Sequence, residues 1–575
     1  MSHKMRFRIA GALAVFAAGA GLVLAGAVPP EPATFVLTNG KIVTLDGAVP
    51  EAEALAARGD RIVAVGPAVE IARYIGPETE VVDLGGRLAT PGWIDSHLHF
   101  MSVGESRLSL DLTAAKSWEE IVDRVAAAAR NAASGALITG RGWHQDKWDR
   151  VPEPNVDGLP VHDALSRVSP GNPVILTHAS GHSCLANAKA MELSHVTAAA
   201  ADPPGGRIIR DGEGRPIGAF LETAMDLVLL GTSRARAART PAEVMAENRK
   251  IIELADRECL SKGLTSVGDA GVGWTTVELY KRIIDEGRLG VRLNVMLSES
   301  ARRIEANASA WKIEGYGAHH LSVRTIKRLI DGALGSHGAW LLEPYEDLPS
   351  SAGLNTESIE EMRTTARVAI ENGFQVATHA IGDRANRETL DIYEEAFRTH
   401  PEKTGLRWRI EHAQHLHPAD VPRFGKLGVV AAMQAVHCTS DGPWVPKRLG
   451  AKRAGETSYV WRSLLKSGAV IANGTDAPVE AADPLPSFYA AVTRKMKNGE
   501  AFFRSQKMTR EEALRSYTVN GAYAAFEEGI KGTLTAGKLA DVTVFTRDLL
   551  TCPEEEILSA EVAMTIVGGK VLYKK

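Results

Sequence analysis

Eight short apolar runs, near residues 92–99, 264–269, 291–297, 323–331, 374–380, 407–413, 428–434 and 469–476, have the texture of buried strands. Helical patterns alternate with them. Thr240 before Pro241 opens a helix whose apolar positions include Val244, Ile251, Ile252 and Leu254; it stops near Gly263, and the strand at 264–269 follows at once. Ile359, Met362, Ala366 and Ile370 share the face of a second helix, which ends at Gly373 and gives way to the run at 374–379. Helix, glycine stop and buried strand is the rhythm of a parallel α/β fold, and eight such strands suit a (β/α)8 TIM-like barrel. That count sets aside about 137–222 as an insertion with strands of its own and a hairpin across 211–214.

The two ends of the chain share a different texture. Strand-like runs at 35–44 and 61–66 return at 537–545 and 564–573, which predicts one small β-sandwich built from both termini, 28–88 and 530–575, around a barrel of 89–529. A net charge of −4 with 24% charged residues describes an ordinary globular chain and gives no basic excess for nucleic acid. Lys4, Arg6 and Arg8 precede an apolar run from Ile9 to Ala27 that ends in a small-x-small triplet. This is a signal-peptide pattern over 1–27, and it predicts a periplasmic or secreted protein with no stable membrane insertion after cleavage; a retained membrane anchor is the alternative. Cys184, Cys259, Cys438 and Cys552 are too few and too scattered for a disulfide framework.

Candidate chemistry sits at the ends of the predicted strands. His97 and His99 are two apart on an extended backbone, so their side chains face one way and can converge on one metal ion. A lone His-x-His is weak evidence. Its weight comes from Lys327, His379, His412 and Asp476, each near the end of another apolar run, because barrels gather their chemistry at the carboxyl ends of the strands. Neutral imidazoles with a carboxylate suit Zn²⁺ or a similar divalent ion, and Asp476 has the chemistry to accept a proton from water and pass it to a departing nitrogen.

Five segments together resemble the amidohydrolase superfamily, and within it the YtcJ-like branch that includes N-substituted formamide deformylase. They are Pro91 to His99, Lys327 with 331–336, His379 with 381–385, 409–414 and 474–479. The resemblance implies that His97, His99 and Asp476 hold the more buried metal, that Asp476 is the general acid/base, and that His379 and His412 hold a second. It further implies one or two ions, with Lys327 as an N6-carboxylysine bridging a binuclear site; a buried lysine paired with Asp331 or another carboxylate is the competing reading. His182, in Ser180-Gly181-His182-Ser183, resembles a segment near the substrate. Trp143 is expected to wall the pocket and Arg384 to bind a substrate carboxylate, while His337 stands where relatives carry a basic residue such as arginine. His415, His417 and His437 are expected behind the ligands rather than among them. The activity implied is metal-dependent hydrolysis of the C–N amide bond of a small N-acyl or N-formyl amine, in a chain that could form a homodimer. A cyclic imide, lactone or carbamate is the alternative substrate, and a non-catalytic binding or regulatory protein on the same barrel is the alternative class.

Overall fold

The computed structural model describes residues 30–235 and 240–575, so the signal-peptide expectation over 1–27 lies outside the described residues. No described helix is long and apolar enough to cross a membrane. Eight parallel strands curl into a nearly closed barrel: β1 (Trp93–Leu98), β2 (Leu264–Val272), β3 (Arg292–Leu297), β4 (Leu321–Leu329), β5 (Gln375–Ala380), β6 (Arg409–His412), β7 (Val430–Met433) and β8 (Ile471–Asn473). Each pairs with the next in parallel register from β1 to β8. The seam between β8 and β1 is stitched just past the strand ends, where Asp476 donates its backbone N–H to the His97 carbonyl (2.7 Å) and His99 donates to that of Ala477 (2.8 Å).

The helix stops follow the local rules read from the sequence. Thr240 and Glu243 form a reciprocal capping box on the helix Pro241–Ser261, with proline in its first turn. Gly373 ends the helix Ile359–Asn372 at φ 69°, a left-handed conformation that costs glycine little. Strand register then aligns the chemistry: Leu329 lies beside His379 and Ala380 beside His412, which brings the ends of β4, β5 and β6 to one level.

Both chain ends contribute to a pair of packed sheets. A four-stranded sheet holds Phe35–Thr38, Ala54–Arg58, Arg61–Gly66 and Glu80–Asp83; a six-stranded sheet joins Lys41–Val43, Glu51–Ala52 and Leu88–Pro91 to Val542–Phe545, Val562–Val567 and Lys570–Lys574. Phe35, Leu37, Ile42, Leu55, Val542 and Ile566 meet between them in one buried cluster. Arg292 on β3 ties this unit to the barrel through a two-pronged buried pair with Asp541, at 2.8 and 3.0 Å. A third, mixed sheet runs from Leu110–Asp111 through Ile138–Trp143, Val174–His178, Ser183–Ala186 and Pro216–Glu222 to Gly206–Arg210, with a hairpin between the last two; it therefore begins upstream of residue 137. All four cysteines are free thiols.

Candidate active site

At the carboxyl ends of the strands the histidines gather round Asp476. Its Oδ1 lies 3.2 Å from His99 Nε2 and 3.5 Å from His97 Nε2, and the ring centroid of His412 lies 4.8 Å from that of His97, tilted to it, and 4.5 Å from that of His379, edge-on. Two sets, His97 with His99 and Asp476, and His412 with His437 and Asp476, each bring their ligand atoms within 4.8 Å of one another.

Strand alternation explains only part of this. Asp95, His97 and His99 are spaced by two and share a face. Glu411 and His412 are adjacent, yet both serve the site, because the chain leaves β6 in a left-handed conformation at His412 (φ 75°) and Ala413 (φ 44°). Asp476 is left-handed too, at φ 58°. Such conformations cost about 1–3 kcal/mol each and persist where surrounding contacts hold them, as at active sites.

The contacts behind the histidines set their tautomers. His97 Nδ1 bonds Glu411, which accepts from Arg409 Nε (2.6 Å) and Nη2 (2.8 Å). Against the cost of burial, the Arg409 guanidinium and the His97 contact hold Glu411 well below the usual carboxylate range. With Glu411 ionised, His97 Nδ1 carries the proton and Nε2 keeps its lone pair. Burial, with the charge of Lys327 nearby, pushes the His97 imidazole down to about 4, so the ring is neutral at pH 7. His412 Nδ1 likewise donates to Gln434 Oε1 (2.7 Å), leaving Nε2 to face the site. Burial alone would push the Asp476 carboxyl up; the His99 imidazole 3.2 Å away and the neighbouring His412 and His97 rings hold it well below the carboxylate range.

Fit to a cation can be tested on unsatisfied atoms. His97 Nε2, His379 Nε2, His437 Nε2 and Asp476 Oδ1 are all buried without a hydrogen-bond partner. Buried polar atoms are nearly always satisfied, so several in one spot need a missing partner, and imidazole nitrogens with a carboxylate oxygen form a donor set for a divalent ion. Lys327 is only 3% exposed, and no carboxylate among the described residues lies within 4.0 Å of its Nζ. Burial pulls its pKa below that of an ordinary lysine. The pairing with Asp331 does not form: that carboxylate faces the backbone N–H groups of Ile381 (3.0 Å), Gly382 (2.8 Å) and Trp340 (2.9 Å), with His379 Nε2 3.5 Å away.

Two chambers open off this cluster and share Ser180, His182, His412, Asp476 and Val479. One, of about 60 Å³, is walled by Ala333, Leu334, Gly335 and Ile381. The other, of about 480 Å³, is walled by Arg141, Met225, Leu329 and Lys327 among others. Of the residues expected to touch substrate, only His182 lines these chambers, its Nδ1 bonded to Glu222 at 2.7 Å. Trp143 is 1% exposed, packs in the core of the third sheet and donates its indole N–H to the Leu176 carbonyl (2.8 Å), so it is a packing residue. Arg384 lies over the Trp340 ring, 4.5 Å from its centroid, and His337 bonds Asp347 at 3.1 Å; neither reaches a chamber wall, because helix and loop contacts hold them outside.

Sequence reasoning missed Glu411, Gln434 and Arg141, and set His437 behind the ligands, whereas His437 takes part in one of the two converging sets. Gln414 Nε2 donates to His437 Nδ1 at 3.0 Å, and His437 Nε2 lies 3.9 Å from Asp476 Oδ2. For Glu411 the signal was its place beside His412; for Arg141 there was none short of the bulge described below.

A family model described as "Amidohydrolase family" matches residues 80–573. The chain is 34% identical to Protein LONG AFTER FAR-RED 3 of Arabidopsis thaliana, over 94% of this chain and 92% of that one. It is 27% identical to N-substituted formamide deformylase of Arthrobacter pascens, over 94% and 98% of the two chains. Among solved structures, an uncharacterized metal-dependent hydrolase from Pyrococcus horikoshii superposes with a TM-score of 0.72 at 26% identity, covering 91% of this chain and 99% of the other.

Proposed function

The chain belongs to the amidohydrolase family and is a metal-dependent hydrolase, and from that premise we propose that it cleaves the C–N bond of a small N-acyl amine, with a formyl or other short acyl group favoured. The observation that carries this reading is the set of buried, unsatisfied imidazole and carboxylate atoms around Asp476, at the mouth of two unequal chambers. The smaller chamber suits a short acyl group and the larger one the amine. The similarity to a formamide deformylase points the same way.

His97, His99 and Asp476 would hold one ion, with Zn²⁺ favoured by the nitrogen and oxygen donors. His379 and His412, with Lys327 as its N6-carboxyl derivative, would hold a second. A divalent ion bound there supplies Lewis acidity, polarising a carbonyl and lowering the pKa of water from about 15.7 to roughly 7. The chain's own residues do the rest. Asp476 takes the proton of the attacking water and delivers it to the departing nitrogen, which requires a carboxylate that stays ionised between turnovers. Glu411 and Gln434 fix the imidazole tautomers so that lone pairs face inward. Lys327, buried and with no carboxylate within 4.0 Å among the described residues, gives up its proton more readily than a surface lysine because burial outweighs the more distant charges of Glu411 and Asp476; its free amine can then add carbon dioxide, releasing one proton as the carbamate forms.

Glu411→Gln should weaken metal retention about 10- to 100-fold, the usual cost of removing a carboxylate behind a ligating histidine. Dialysis against graded chelator with metal analysis reads this; retention equal to wild type would remove Glu411 from the role. For the activity itself, purified protein incubated with N-substituted formamides, a cyclic imide, a lactone and a carbamate, with products separated by chromatography, should release amine from the formamides. Turnover of the imide or lactone alone would replace amide hydrolysis by ring opening on the same site.

A further inference from the structure

Arg141 enters the larger chamber from the third sheet by way of a β-bulge. In a regular strand Arg141 and Trp143 would share a face. Here Arg141 pairs with Thr177 and Trp143 with the next residue, His178, leaving Gly142 as the extra residue at φ 101°. A β-carbon at Gly142 would come within 2.4 Å of the Thr113 side chain, so the bulge requires glycine there. The result is a division of labour: Trp143 goes to the core, and Arg141 to the chamber wall.

The guanidinium is held from behind and open in front. Its Nε donates to the Pro478 carbonyl (3.1 Å) and its Nη2 to that of Ala179 (3.4 Å), while Nη1 has no hydrogen bond and no carboxylate lies within ion-pair distance among the described residues. Pro478 is two residues past Asp476, which puts this charge beside the reacting centre. Of the acids along the same wall, Glu222 bonds His182, Glu357 sits 3.7 Å from Arg328, Asp476 lies among the histidines, and Asp226 is exposed. The charges of Asp476 and Glu105 are felt at Arg141 but neither carboxylate is within ion-pair distance; the planar fork of a partly buried arginine left in this state matches a carboxylate. Met225, Leu229 and Val479 add an apolar lining.

Resting on the amide-hydrolysis reading above, we infer that Arg141 anchors the carboxylate of the substrate, which is then a short-chain N-acyl amino acid with an apolar side chain. The acyl group sits in the small chamber, and the amino-acid portion lies in the large one with its carboxylate on Nη1. The role is specificity: a neutral amide gains nothing from Arg141.

The test compares N-formylleucine with N-(3-methylbutyl)formamide, which is the same molecule without its carboxylate, in wild type, Arg141→Met and Arg141→Lys. Wild type should favour N-formylleucine by about tenfold or more in kcat/KM, the worth of a charge-assisted hydrogen bond. Arg141→Met should erase that preference through KM and leave the neutral compound within about threefold of wild type, with Arg141→Lys in between. A preference that survives in Arg141→Met, or no preference in wild type, overturns the assignment. An equal loss on both compounds with a lowered thermal midpoint makes Arg141 a structural clamp for its two carbonyls and also overturns it. If neither compound is hydrolysed, the amide-hydrolysis reading fails for this class, and calorimetric binding to the metal-loaded protein still decides Arg141. There, affinity for N-formylleucine about tenfold weaker in Arg141→Met supports the anchor, and unchanged affinity sinks it.

Discussion

An Asp476→Asn variant is expected to turn over substrate about 10²- to 10⁴-fold more slowly than wild type, the span attributed to a positioned general acid/base. The size follows from what the carboxylate does at this spot. It is buried, held ionised by His99, His412 and His97, and common to both converging sets of ligand atoms. Asparagine keeps the volume and a carbonyl oxygen but has no site for the proton of water, so the amine leaves unprotonated. Two readouts separate proton transfer from metal loss: kcat under saturating substrate, and metal content of the same preparation. Wild-type turnover in the variant would remove Asp476 from catalysis and favour a binding protein on this barrel. Lost metal together with lost turnover would make it chiefly a ligand.

Lys327→Ala should change stoichiometry rather than fold. Purified without added metal or chelator, the wild type is expected to carry about two divalent ions per chain and the variant about one. The reason lies in the surroundings of Lys327: 3% exposed, with no carboxylate within 4.0 Å among the described residues, beside His97 and below His379 in the register of β4 and β5. A buried ammonium in that position is costly, whereas a carbamate there would serve as a ligand for a divalent ion. Labelled carbon dioxide should give a carbamate carbon signal in wild type that is missing in the variant. One ion in both proteins would keep a mononuclear hydrolase and discard the bridge. No ion in either, even after reconstitution, would sink the mechanism.

The barrel was legible because its signals are local. Capping at Thr240, the glycine stop at 373 and the apolar runs that follow are short-range, and the strands at 264, 375 and 430 begin within two residues of the runs read from sequence. The site was less legible, for reasons that differ by residue. Periodicity puts Glu411 and His412 on opposite faces, and only the left-handed turn at His412 lets both act together. Lys327 and Asp331 are four apart and of opposite charge, which suggests a pair; two backbone N–H groups just past β5, Ile381 and Gly382, and that of Trp340 in the segment after β4 fill the carboxylate instead. Trp143, expected on the pocket wall, goes to the core and Arg141, for which nothing was expected, takes the wall, because one unpaired glycine shifts the register between them. Such a shift depends on the neighbouring strand and leaves no mark in composition or spacing.

The six-stranded terminal sheet has a consequence for how the chain is made. Leu88–Pro91, which leads through one glycine into β1, pairs along one edge with Val542–Phe545, and Lys41 reaches Asp548 across 507 positions of sequence. At a synthesis rate of about 5–20 residues per second, the early strands wait roughly 25–100 s for their partners. Throughout that time the edge of Leu88–Pro91 is an unpaired template for any other chain, and the first metal-site strand is anchored at its amino end to a half-built sheet. Crowding on the ribosome therefore endangers this fold while its early strands stand alone, and the strands between Val542 and Lys574 are what bring the danger to an end.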